Sequence, residues 1–150
     1  MDISASDIYN FYQSKLGGFV KRTIRQKIIS YIDEKKHIDV FGYGYVSPYL
    51  SFINKHFSKT SVIEFRPDFL DGTVQEKVDF DQKFIHEYFL PLEPSMADVV
   101  VSTHLLEFVE KPQSSIEEIW RILRPNGYFI SILPRRSGIW TRYDNNPFGF

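Results

Sequence analysis

The run Asp98-Val99-Val100-Val101-Ser102-Thr103 limits this chain's fold more than any other segment. Three successive valines leave no polar face. A strand of that kind is buried on both sides, the condition of a parallel sheet covered by helices. The residues around it agree. Apolar strands at His37–Phe41, Thr60–Phe65, Lys83–Ile85 and Tyr128–Leu133 alternate with helical periodicity. Strands alternating with helices imply right-handed crossovers and a parallel sheet with helices on both faces.

The helices are marked by their ends. Residues 7–32 read as helix, with Ser6 as cap and Gly17-Gly18 as the break into two segments. Ile8, Phe11 and Tyr12 share one face, and Val20, Ile24, Ile28 and Ile32 another. Ser47-Pro48 opens the next helix, Pro48 at the first helical position and Ser47 as cap, with Tyr49, Leu50, Ile53 and Phe57 on its buried side. Ser114 and Glu117 have the spacing of a capping box ahead of Ile116, Ile119, Trp120 and Leu123. Arg124-Pro125-Asn126-Gly127 stops that helix and turns the chain. Residues 68–82 are acidic and weakly patterned, and read as loop with at most one helical turn.

The 150 residues fit one domain: helices over 1–35, a core over 36–134 and an irregular tail over 135–150. Eighteen basic and nineteen acidic residues nearly cancel, so no whole-chain field draws nucleic acid or an anionic membrane. The absence of cysteine excludes disulfides and thiolate metal sites, and no metal is expected. The N-terminus lacks the basic-then-apolar order of a signal peptide, and no apolar run nears the roughly 20 residues that span a bilayer, so the cytoplasm is the expected compartment.

In an open parallel sheet, ligands bind at the carboxyl ends of the strands where strand order reverses. That rule selects the Gly42-Tyr43-Gly44-Tyr45-Val46 turn, Glu64, the pair His86 and Glu87, and the pair Thr103 and His104. Gly-x-Gly-x-Val lacks the third glycine of a dinucleotide fingerprint, which disfavours NAD and FAD. A tight turn without a ligand explains those glycines equally well. Glu64 has the chemistry to accept bonds from both ribose hydroxyls, and also suits a plain charged strand terminus. His86 or Glu87 could face an adenine edge. His104 could contact a ligand, act as general base, or be a structural histidine.

Ala97 to Val109, with Leu105-Leu106-Glu107-Phe108-Val109 after the strand, resembles the fourth-strand motif of class I S-adenosylmethionine-dependent methyltransferases. Glu118 to Tyr128 is similar to the same family's helix and Arg-x-Leu-x-Pro-Gly-Gly turn. Leu90-Pro91-Leu92 resembles the segment before its fourth strand. The chain also resembles an alphaproteobacterial, methyltransferase-type-11-like subgroup through Phe11 to Gly17, Gly42 to Leu50, and the Arg135-Arg136, Trp140 and Pro147-Phe148-Gly149 segment.

The resemblance implies a Rossmann-like three-layer α/β sandwich with strand order 3-2-1-4-5, and S-adenosyl-L-methionine as cofactor. Gly42, Tyr43 and Gly44 would lie against its methionine part. Glu64 would take the ribose, His86 or Glu87 the adenine, and Thr103 and His104 the methyl-transfer side, with His104 the candidate catalytic residue. The methyl acceptor, a small molecule or a macromolecule, stays open.

The chain departs from the family at Val40, where an acid is usual, and at Val46, Phe108 and Asn126. It also ends before the two last strands of that sheet. A C-terminally shortened sheet would leave the fifth strand as an edge for a second copy or a partner to cover. Two functions therefore remain: a methyltransferase, and a catalytically inactive methyltransferase-like remnant acting as scaffold.

Overall fold

A computed structural model describes residues 4–32, 36–67, 80–85 and 89–134. The elements in chain order are α1 (Ala5–Gln13), α2 (Lys15–Ile29), β1 (Ile38–Gly44), α3 (Ser47–His56), β2 (Thr60–Pro67), β3 (Asp81–Ile85), β4 (Ala97–Thr103), α4 (Pro112–Ile122) and β5 (Leu123–Ile132). All five strands are parallel, in the order β3-β2-β1-β4-β5. The expected architecture is the one observed.

Alternation along the strands builds two cores. Val40, Val62, Val99 and Val101 pack with α1, α2 and α3 on one face. Phe41, Tyr43, Phe65 and Val100 pack with Ile119 and Ile122 of α4 on the other. The valine run is apolar throughout because successive side chains enter opposite cores.

Several boundaries differ from the sequence reading. Ser4, not Ser6, caps α1: its Oγ accepts from the Asp7 amide, and the Asp7 carboxylate accepts from the Ser4 amide at 2.9 Å. The break between α1 and α2 falls at Ser14, not at Gly17-Gly18. Ser14 is extended, and its Oγ accepts from the Gly17 amide at 3.0 Å. Gly17 has another task, since a Cβ there would overlap the Phe11 carbonyl where the two helices meet.

Neither of the other two expected caps forms. Ser47 is the first residue of α3 rather than its cap. In α4, Pro112 opens the helix and no side chain caps it, so Ser114 and Glu117 lie within the first turns and make no capping box. Proline at the first position needs no amide partner, which reduces what a cap would supply.

The turn at 124–127 forms inside β5. Leu123 pairs with Ala97 and Tyr128 with Val99, so the four residues between are looped out. Asn126 there has a φ of 64°, a conformation that asparagine tolerates better than most residues. Arg124 anchors the turn by pairing with Asp98 at 2.6 Å and Asp39 at 2.9 Å. Among the described residues, β5 is an outer strand and exposes Tyr128 and Phe129, while α4 exposes Trp120. No described helix is long and apolar enough to cross a membrane.

Candidate functional site

Strand register assembles most of the candidate residues. Gly42 is paired with Glu64 on one side and Val101 on the other, and Gly44 is paired with Thr103. The tips of β1, β2 and β4 therefore lie together. His86 and Glu87 fall outside the described residues.

The turn after β1 is closed tightly onto β4. Gly44 has a φ of +114°, and a Cβ there would overlap the Thr103 carbonyl. That carbonyl accepts from the Tyr45 amide at 2.9 Å. Gly44 is thus needed both for its backbone conformation and for clearance. At Gly42 a Cβ would reach Leu50 Cδ1 at 2.5 Å, so this glycine admits α3 to the sheet. Tyr43 is fully buried in the core on the α4 side.

Glu64 is fully buried, and both carboxylate oxygens are used. Oε1 accepts from the Val46 amide at 2.6 Å and the Ser47 amide at 2.8 Å. The carboxylate therefore caps α3 from another strand, at the positive end of the helix dipole. Ser47 Oγ donates to the same carboxylate, as do Arg66 Nη2 at 3.2 Å and Gln82 Nε2. Arg66 is itself buried, with its guanidinium 4.3 Å from the centre of the Tyr45 ring. Arg66, Gln82 and Tyr45 were invisible as a group in the sequence, because they converge only when β1, β2 and β3 align.

On the β4 side, His104 adopts a φ of 53° and is almost fully buried. Its Nδ1 lies 3.2 Å from Glu107 Oε1, and its Nε2 lies 2.9 Å from Tyr12 Oη. Tyr12 Oη is also 2.8 Å from Tyr49 Oη. With Glu107 as carboxylate, the His104 Nδ1–H donates to it, which leaves the Nε2 lone pair to accept from the Tyr12 hydroxyl. Tyr49 then donates to Tyr12. Burial pushes the Tyr12 phenol up to about 12, and pushes Tyr49 up as well, with the neighbouring Tyr12 adding to it.

A cavity of about 150 Å³ opens beside this group. Its walls include Phe11, Val20, Ile24 and Ile132, with Tyr12, Tyr49, Thr103 and His104 as polar members. Thr103 Oγ1 is buried and has no hydrogen-bond partner among the described residues. Sequence reasoning placed Tyr12 on a buried helical face and Glu107 in the motif after β4, but had no signal joining them to His104. Among the described residues there is no cluster of metal-ligating side chains.

An open parallel sheet of this order, with glycines at the tip of β1 and polar residues at the tip of β4, defines a Rossmann-like α/β class. Within that class, residues 38–131 match the family described as "Methyltransferase domain", and the chain belongs to it. The chain is similar in fold to a SAM-dependent methyltransferase from Aquifex aeolicus (18% identity, TM-score 0.62, covering 82% of this chain and 68% of that one). It is also similar to a SAM-dependent methyltransferase from Thermotoga maritima (16% identity, TM-score 0.63, covering 91% and 61%). Among curated proteins, a 96-residue stretch is 33% identical to "Probable polyketide synthase 13" of Dictyostelium discoideum, covering 63% of this chain. The chain spans 61% and 68% of the two solved structures and 3% of the polyketide synthase.

The described residues fit S-adenosyl-L-methionine on one side. Thr103, with its orphan buried hydroxyl, borders the cavity at the β4 tip, where a bound group would supply the missing partner. On the β2 side, Glu64 can face a ribose only by giving up bonds to Arg66 and Gln82.

Proposed function

We propose that this domain binds S-adenosyl-L-methionine and transfers its methyl group to an acceptor. The observation that carries the reading is the unpartnered Thr103 hydroxyl beside a cavity at the β4 tip, in a chain of the methyltransferase domain family. Thr103 and the Gly42–Gly44 turn would hold the methionine end. Glu64 would take the ribose after exchanging its bonds to Gln82 and Arg66, and His86 or Glu87 would border the adenine. When bound, the cofactor supplies a methyl group already activated on a sulfonium. The protein's contribution is to hold the acceptor in line and to exclude water. His104, backed by Glu107, would take the acceptor's proton on exchanging its bond to Tyr12.

A second reading, a methyltransferase-like domain that no longer binds cofactor, draws on one observation. Glu64 is wholly engaged in stapling α3 to the sheet. Calorimetric titration with S-adenosylhomocysteine separates the two. Saturable heat is expected from the first reading; a folded protein giving none would leave the second.

A further inference from the structure

Three helices each present one face to a polar pocket of about 180 Å³. Its walls include Tyr9 and Gln13 from α1, Lys21 and Arg25 from α2, and Ser47 and Ser51 from α3. The members of each pair are four residues apart, so both stand on the same side of their helix. Tyr12 alone among its lining residues also lines the apolar cavity at the β4 tip. The pocket is therefore a second compartment, joined to that cavity through Tyr12.

Charge selects what this compartment takes. Lys21 and Arg25 are both cationic, and no acidic side chain is among the lining residues. Glu64, which accepts from Ser47 Oγ, is already neutralised by Arg66. Arg25 is held in place. Its Nε and Nη2 donate to the Pro48 carbonyl at 3.1 and 2.6 Å, and its guanidinium carbon lies 5.1 Å from the centre of the Phe52 ring.

Those two bonds use two of the five N–H groups that a guanidinium carries. The rest include the end-on pair on Nη1 and Nη2, and among the described residues no carboxylate pairs with them. Two parallel N–H groups match the two oxygens of a carboxylate. A phosphate fits less well. Phosphate sites at a helix start draw on free backbone N–H groups. Here the Val46 and Ser47 amides serve Glu64, and Pro48 has none to give.

We propose that this pocket binds the carboxylate of a small anionic methyl acceptor, with Arg25 as its two-bond partner and Lys21 as the second charge. Tyr9, Gln13 and Ser51 supply neutral hydrogen-bonding groups around it. An acceptor anchored there by its carboxylate lies next to the cofactor cavity, across Tyr12, and the anchor limits the directions from which it meets the methyl group. The ligand's role as acceptor rests on the methyltransferase reading, whereas the carboxylate binding does not.

The test uses the full chain with benzoate and benzamide, which share a shape and differ in charge. It is run at about 0.15 M salt, where unspecific surface attraction is largely screened. Calorimetry is expected to show benzoate bound about tenfold tighter, the worth of charge-assisted hydrogen bonds. The Arg25 Nε–H resonance should move with benzoate and stay with benzamide. In Arg25→Gln the preference should fall below about threefold. A merely solvated cationic helix face would give neither preference nor shift. Equal binding of the two probes by the wild type, or an undiminished preference in Arg25→Gln, overturns the proposal.

Should Arg25→Gln fail to fold, Lys21→Gln serves instead, and its preference is expected to be about threefold weaker than the wild type's. An unchanged preference there overturns the proposal as well. Saturating S-adenosylhomocysteine then separates an acceptor's carboxylate from the cofactor's own. Benzoate is expected to bind as well with it as without it, or better. Displacement of benzoate would give the pocket to the cofactor's carboxylate and overturn the proposal. No binding of S-adenosylhomocysteine removes the methyltransferase reading and leaves benzoate to decide the carboxylate site, whereas cofactor binding without benzoate preference removes this proposal alone.

Discussion

Tyr12 Oη and His104 Nε2, 92 positions apart in sequence, stand 2.9 Å apart in a buried contact that ties the first helix to the tip of β4. The contact makes the N-terminal helix part of the site rather than a cover laid over it. The burial that comes with it sets the direction of the alkaline response.

Tyr12 is raised from 10.0 to about 12, chiefly by burial, so the folded state holds its proton where the unfolded chain has released it. Its contribution to stability is complete below pH 10 and is lost as pH climbs from 10 to about 12. Urea unfolding at stepped alkaline pH should show stability falling across that window. Phenolate absorbance should show at least one tyrosine titrating late, and in Tyr12→Phe that late component should shrink.

Glu64 ties the start of α3 to β2 and neutralises Arg66. Glu64→Ala removes the cap of α3 and leaves the Arg66 charge buried without its carboxylate. Breaking one side of a buried pair costs about 3–5 kcal/mol. Chemical denaturation should show a loss in that range, and a loss under about 1 kcal/mol would mean that the carboxylate is not engaged as described.

Two glycines should respond in opposite directions. Gly44→Ala places a Cβ against the Thr103 carbonyl at a φ of +114°, and should cost about 1–3 kcal/mol in strain alone. Gly18→Ala lies inside α2 with nothing within 4 Å of the new Cβ, and should gain about 0.5–1 kcal/mol. Thermal melts of the two variants against wild type check both signs.

Ser14 is the joint between α1 and α2. Ser14→Ala removes the bond from the Gly17 amide and the one to the Phe11 carbonyl at 2.6 Å. The expected loss is about 1 kcal/mol, read from urea midpoints. Because Tyr12 sits in the last turn of α1, the same variant should loosen its contact with His104, visible as increased exchange of the ring signals.

The strands and their parallel arrangement were legible because the valine run at 99–101 has no polar face, and only burial on both sides satisfies such a pattern. The helix ends were less legible. At Ser6, Gly17-Gly18, Ser47 and Ser114 the local signals competed with equally good ones a few residues away, or were replaced by proline and by Glu64 from another strand. A cap is a local preference of about 1 kcal/mol, and tertiary contacts outweigh it.

The sequence by itself determined which segments are strands, which faces are apolar, and that glycine stands at the tip of β1. Those features depend on side-chain volume and backbone freedom, which are properties of each residue and its near neighbours. Only the tertiary structure decided that Glu64 serves α3, and that Tyr12, Tyr49, His104 and Glu107 form one chain of contacts. Hydrogen bonds are directional over about 3 Å, and their partners here come from separate elements. Strand register and helix docking set those distances, and no local pattern encodes them.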